Sequence, residues 1–193
     1  MNNIKKLRWL LALAPLLCLM QSACTEVDNT YCRFPCRFVF NMQRHGISLA
    51  LNTMVSTPGV FCDVSHVMHK GVSYYRFQTN HGQCDSVIFT QEDVLSTVLI
   101  GVHNGLIIGY GTFDTPYKLY AYDAQCRNCF DPDAVPVKDY RLRIDAAGMA
   151  HCQACGRSYN LNTGGNVVSG TTGKNLWRYH QATCNATVVS VVN

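Results

Sequence analysis

Charge is scarce in this chain: 15% of its 193 residues are charged. Three of its 16 Lys+Arg, namely Lys5, Lys6 and Arg8, crowd the N-terminus. Without them thirteen basic residues face 12 acidic ones, a balance of +1 where the whole chain carries +4. No Lys/Arg run with interleaved aromatics follows, so a nucleic-acid-binding role is excluded. The sequence also lacks a Gly-x-Ser-x-Gly elbow, a phosphate loop and a paired-carboxylate arrangement, which removes the common hydrolase and phosphoryl-transfer chemistries. No catalytic residue is therefore assigned. Internal repeats and low-complexity tracts are missing as well. After the N-terminal segment, no apolar run reaches membrane-spanning length, since Val94 to Gly109 is broken by Ser96, His103 and Asn104. Helical patterning is thin. Only Thr90-Gln-Glu-Asp93 resembles a capping box, predicting one short helix through Leu99.

What is present begins at residue 1. The basic Lys5, Lys6 and Arg8 precede the uncharged run Trp9 to Met20, and the small residues Ser22-Ala23 lead into Cys24. This order predicts an export signal over residues 1–23, too short for a permanent transmembrane helix. Ser22-Ala23-Cys24 also resembles the end of a bacterial lipobox, although Gln21 stands where that pattern prefers Leu. On that reading Cys24 is diacylated. Thr25 to Thr30 forms a polar tether, and the chain is a membrane-tethered lipoprotein of the cell envelope. Two acyl chains, at about 0.8 kcal/mol per buried methylene, hold such an anchor stably. The alternative is ordinary cleavage that leaves Cys24 as a thiol.

Residues 24–193 read as one β domain. Short β-branched and aromatic runs recur between turn residues. Strands are expected at Arg37 to Phe40, Val60 to Cys62, Ser73 to Phe77, Ser86 to Phe89, Leu106 to Tyr110 and Lys118 to Tyr122. Further strands are expected at Tyr140 to Ile144, Ser158 to Leu161, Leu176 to Tyr179 and Thr187 to Val192. His103-Asn104-Gly105, Asp145 to Gly148 and Asn162 to Gly165 supply turns between them. The expected class is all-β, an antiparallel sandwich or small barrel.

Eleven cysteines are many for a chain of this size, and in an exported protein they imply disulfides, metal ligands or both. Cys126-Arg-Asn-Cys129 and Cys152-Gln-Ala-Cys155 form two CxxC pairs, the arrangement in which two tight loops present four thiolates to one metal or cluster. Two structural disulfides are the alternative. Cys126, Cys129, Cys152 and Cys155 are the candidate metal and cofactor ligands.

The stretch Cys152-Gln-Ala-Cys155-Gly156-Arg-Ser-Tyr159-Asn160-Leu161-Asn-Thr163-Gly164-Gly165 resembles the second cluster-binding box of Rieske proteins: Cys-x-x-His-Gly, two variable residues, an aromatic, Asp or Asn, Leu and a Thr-Gly turn. Ser169 to Gly173 stands where the family has its Gly-Pro loop. Leu119 to Asp123 resembles the strand entering the first box, and Leu176 to Tyr179 with Thr187 to Val192 the closing strands. The resemblance covers about residues 105–193 and is similar to the nitrite-reductase small-subunit and ferredoxin-type branch. It implies a Rieske-like metal-binding loop subdomain over residues 105–193.

The ligand set departs from that family. Cys155 occupies the histidine place of the second box, the first box is one residue longer, and no Cys-x-His or Cys-x-x-His occurs. The implied site is therefore built from four sulfurs. Rieske centres lie at about −150 to +300 mV and all-Cys plant-type clusters near −400 mV, because thiolates in place of neutral imidazoles favour the oxidised cluster. A [2Fe–2S] centre would make the chain an electron carrier for a redox protein partner, rather than a catalyst. Zn²⁺ in the same site would make it a binding or structural module, and needs no cluster assembly after export. Thiol–disulfide exchange lacks the surrounding βαβ pattern.

Other residues take plainer readings. Cys32 and Cys36 suggest a local disulfide or an anchor to the body, Cys62 and Cys84 flank a hairpin they could bridge, and Cys184 is the odd thiol. His66-Val-Met-His69 reads as loop, His151 as a surface loop residue and His180 as exposed.

Overall fold

The computed structural model describes residues 29–193. The expected export segment and Cys24 lie outside the described residues. Within them the chain is β-rich, as expected: twelve strands form three antiparallel sheets, and no closed barrel occurs among the described residues. In the order of the chain the strands are β1 (Arg37–Asn41), β2 (Phe61–His69), β3 (Val72–Thr79), β4 (Cys84–Ile88), β5 (Leu106–Tyr110) and β6 (Leu119–Asp123). They continue as β7 (Arg143–Ile144), β8 (Met149–His151), β9 (Ser158–Asn160), β10 (Asn166–Ser169), β11 (Gln181–Cys184) and β12 (Val188–Val192). Three short helices are α1 (Met42–His45), α2 (Leu49–Ser56) and α3 (Gln91–Leu95). None of them is long and apolar enough to cross a membrane.

The central sheet runs β4-β3-β2-β5-β6, and the others run β1-β12-β11 and β10-β9-β8-β7. Strand alternation divides its apolar residues between two cores. Leu106 and Ile108 of β5 and Ala121 of β6 face a first core with Phe38 and Phe40 of β1, Val189 and Val191 of β12, and Ala50, Leu51 and Met54 of α2. Ile107, Tyr120 and Tyr122 face a second core with Phe61, Leu142, Ala150, Tyr159 and Leu161. This double coverage explains why β5 reads as an unbroken apolar run, where a sheet wet on one side would alternate. Phe38 and Phe40 are fully buried, each stabilising the first core by about 1.5–3 kcal/mol.

Several local expectations need correction. α3 ends at Leu95, because Leu99 instead exchanges backbone hydrogen bonds with Arg37 at 2.8 and 3.1 Å. Its capping box is present: the Thr90 hydroxyl accepts from the Asp93 amide, and the Asp93 carboxylate accepts from the Thr90 amide. Leu176 to Tyr179 is no strand; only Arg178 bridges, to Tyr31 and Tyr122. Of Tyr140 to Ile144 only Arg143–Ile144 is strand. His66 and His69 belong to β2, and His151 to β8, so none is a loop residue. On a strand, positions three apart point to opposite faces, which removes His66 and His69 as a ligand pair. His180 is exposed as expected and stacks on Tyr31, ring centroids 3.6 Å apart.

Cys62 and Cys84 do not bridge. Cys62 is fully buried and opposite the buried Thr79, whereas Cys84 is exposed and opposite the exposed Gln78. The two thiols lie on opposite faces with β3 between their strands, outside disulfide geometry. Cys32 and Cys36 are both buried in the first core as free thiols, Cys36 pushed up to about 11 by burial. Cys184 is likewise free.

Candidate metal centre

The two CxxC loops follow directly from strand geometry. β6 ends at Asp123, a fully buried carboxylate that accepts from the amides of Val102 (2.6 Å) and Gln125 (2.8 Å) and from the Tyr179 hydroxyl (2.7 Å). Burial holds its pKa above the usual value despite these donors. Those bonds fix the chain direction as it enters Cys126. The Cys126 carbonyl then accepts from the amides of Cys129 (3.0 Å) and Phe130 (2.8 Å), winding Cys126 to Cys129 into a tight turn. The second loop joins β8 to β9. There the Cys152 carbonyl accepts from the Gly156 amide and the Cys152 amide donates to the Arg157 carbonyl, both at 2.9 Å. Gly156 has φ +70°, a conformation that a residue with a Cβ rarely adopts, and it lets the chain reverse immediately after Cys155.

The structure brings all four expected ligands together. Their Sγ atoms all lie within 4.8 Å of one another, with Cys126–Cys155 and Cys129–Cys152 each at 3.8 Å. Both of these contacts run between the loops. At 3.8 Å none is a disulfide, whose sulfurs sit about 2.05 Å apart, and all four thiols are free. A four-cysteine group in this geometry fits a metal ion or an iron–sulfur cluster. Cys126 and Cys152 are buried, and Cys129 and Cys155 reach partly to solvent.

Electrostatics differ among the four. Burial pushes Cys126 up to about 11, opposed by the Tyr159 hydroxyl and the Asn128 amide. Cys129 is pushed higher still by burial and its neighbouring thiols. At Cys155 burial also acts upward, yet the amide and guanidinium of Arg157 and the facing thiols outweigh it and bring the group to about 6. Arg157 thus places a positive charge beside a cluster of sulfurs, the condition that favours the thiolates a metal needs.

Three supporting groups were not assigned from the sequence. The Tyr159 hydroxyl lies 3.2 Å from Cys126 Sγ and accepts from Asn128 Nδ2 at 2.9 Å. Asn128 also grips Lys174, donating to its carbonyl at 2.7 Å and accepting from its amide at 2.9 Å. Arg157 donates to the carbonyls of Thr171 (3.0 Å) and Thr172 (3.1 Å). The segment 170–174 is therefore a third loop, tied to one residue from each CxxC loop. It passes so close that a Cβ on Gly173 would meet Arg157 Nε at 2.6 Å and Asn128 Oδ1 at 2.7 Å. The signal for this loop was its Gly-Thr-Thr-Gly composition, and its partners were invisible because they lie 14 to 46 residues away.

His151 stands beside Cys152 but is turned away from the sulfurs. Its Nε2 is 2.8 Å from Asp145 Oδ2 and its Nδ1 2.9 Å from Ser158 Oγ. The first contact closes the β7–β8 turn, and the second joins His151 to its cross-strand partner on β9. No family model, curated protein or solved structure matches the chain.

Proposed function

We propose that the four cysteines hold a single Zn²⁺ ion that fastens the loops of a non-catalytic, membrane-tethered envelope protein. One observation carries this reading: the compactness of the sulfur group. A tetrahedron with metal–sulfur bonds of about 2.3 Å has sulfur–sulfur edges of about 3.8 Å, the separation of Cys126 from Cys155 and of Cys129 from Cys152. A two-iron cluster instead carries its terminal thiolates in pairs at opposite ends, which spreads the four sulfurs beyond a single tetrahedron. Zinc is d¹⁰ and without redox chemistry, so its contribution is structural.

Electron transfer through a [2Fe–2S] centre is the second reading. It rests on the resemblance of Cys152 to Gly165 to a Rieske box and on two sulfurs, those of Cys129 and Cys155, that reach partly to solvent. The Tyr159 hydroxyl against Cys126 suits either centre.

Metal analysis with a visible spectrum of natively purified protein decides between them. One zinc per chain and no visible absorption supports the first reading. Two irons per chain, with absorption bleached by dithionite, overturns it. Export and acylation at Cys24 belong to the same proposal: Cys24→Ser should release the chain into the soluble fraction and abolish acyl labelling. Unchanged membrane association in that variant removes the tether.

A further inference from the structure

Away from the sulfurs, a cavity of about 570 Å³ lies between the outward face of β2 and β3 and the β7 strand. Residues of the four-stranded sheet pack on β5 and β6, and residues 141–144 border the cavity opposite β2 and β3. The volume lies in the range of small-molecule sites.

The residues that line it are unusually cationic for a chain so poor in charge. Arg76 projects from β3, and Arg141 and Arg143 come from the β7 side, with Asp63 the single carboxylate. Arg141 forms an ion pair with Asp63, so that pair is internally neutral. Arg76 and Arg143 remain. Among the described residues the guanidinium of Arg76 makes one marginal hydrogen bond, 3.5 Å from Gln78 Oε1, and adds its charge to that of Arg141 near Asp63, while no hydrogen bond or ion pair holds that of Arg143. Ser65 stands directly across from Arg76 in the β2–β3 register, and its hydroxyl has no hydrogen-bond partner among the described residues. Two solvated surface arginines are the plain alternative. It does not explain why three arginines line one concave site that holds a single carboxylate.

We infer that this groove binds a small molecule carrying a carboxylate or phosphate, with Arg76 and Arg143 clasping the oxyanion and Ser65 donating to it. Guanidinium forks match both oxyanions in bidentate geometry. The proposal is separate from the metal reading, since Arg76, Arg143 and Ser65 are not among the four cysteines that would hold a metal.

The test is calorimetric titration of the full chain with sodium glucuronate, inorganic phosphate and glucose, repeated with the Arg76→Gln/Arg143→Gln variant. Saturable binding of glucuronate or phosphate with sub-millimolar affinity at low salt is expected. It should weaken with salt and fall about tenfold or more in the variant, while glucose gives no heat. Glucuronate binding alone identifies a carboxylate ligand and phosphate binding alone a phosphate ligand. If neither binds, or if the variant binds as well as the parent, the inference is overturned. An unchanged melting temperature in the variant shows that the arginines were not removed at the expense of the fold.

Discussion

The Tyr159 hydroxyl and the Cys126 sulfur lie 3.2 Å apart, and the amide of Asn128 already donates to that hydroxyl. With its acceptor side occupied, the hydroxyl is free to direct its proton at the sulfur. Tyr159→Phe should leave the metal bound but lower stability by about 0.5–1.5 kcal/mol. In Co²⁺-substituted protein the sulfur-to-cobalt charge-transfer band should move to lower energy, because a thiolate without its donor is the better electron source. A band and a melting temperature unchanged from the parent would show that this hydroxyl does not engage Cys126.

Cys152→Ser should abolish stoichiometric metal binding and lower the melting temperature to that of chelator-treated parent protein, because binding free energy at such a site is also folding free energy. Chelator added to the variant should do nothing further. A parent whose melting temperature ignores a strong chelator would mean that the loops are held without metal.

Asn128→Ala should separate the third loop from the first while sparing the sulfurs. Two bonds to Lys174 and one to Tyr159 disappear, a loss of about 1–3 kcal/mol. Hydrogen exchange at the Lys174 amide should accelerate while metal content stays at the parental value. Metal loss in this variant would assign Asn128 to holding the ligands themselves.

Asp93 joins three parts of the first core, since its carboxylate is 2.8 Å from His45 Nε2, 2.8 Å from the Tyr75 hydroxyl and 2.7 Å from the Thr90 amide. Burial acts to raise its pKa, but the donors of Thr90 and Tyr75 and the proximity of His45 outweigh it and hold it below 3.8. A depressed carboxylate contributes stability above its unfolded pKa and loses it as pH falls through the folded one. The expected window is therefore below about pH 4. Asp93→Asn should cost about 1–3 kcal/mol at neutral pH, and acid denaturation curves should show a shallower decline than the parent's in that window. Curves of equal slope would assign the acid transition to other carboxylates.

Legibility in the sequence followed the locality of the forces. β5 is found at Leu106 to Tyr110 as expected, since the apolar run Leu106-Ile107-Ile108 directly after an Asn-Gly pair is a local signal. The sulfur site was readable for the same reason: each CxxC turn closes on itself, and only their meeting needed the sheet. α2 was missed because its start is stabilised from afar. Asp85 of β4 accepts from the Ala50 amide (3.0 Å) and the Ser48 hydroxyl (2.9 Å), a carboxylate that stands 35 residues downstream of Ala50. Cys62 and Cys84 misled because hairpin proximity says nothing about which face each thiol occupies. Tyr159 was visible as an aromatic but not as a donor to sulfur, since that depends on where Asn128 comes to rest.

Sulfur contacts of 3.8 Å join Cys126 to Cys155, 29 residues apart, and Cys129 to Cys152, 23 residues apart. Seen from the unfolded chain, an ion bridging these positions ties a knot between distant monomers of a polymer. A crosslink closing a ring of such length removes about 3–4 kcal/mol of conformational entropy from the denatured ensemble. The second ring is nested inside the first and removes less, because its ends are already close. An ion held before the sheet forms would shorten the search for the pairing of β7 with β8, the two strands that both rings enclose.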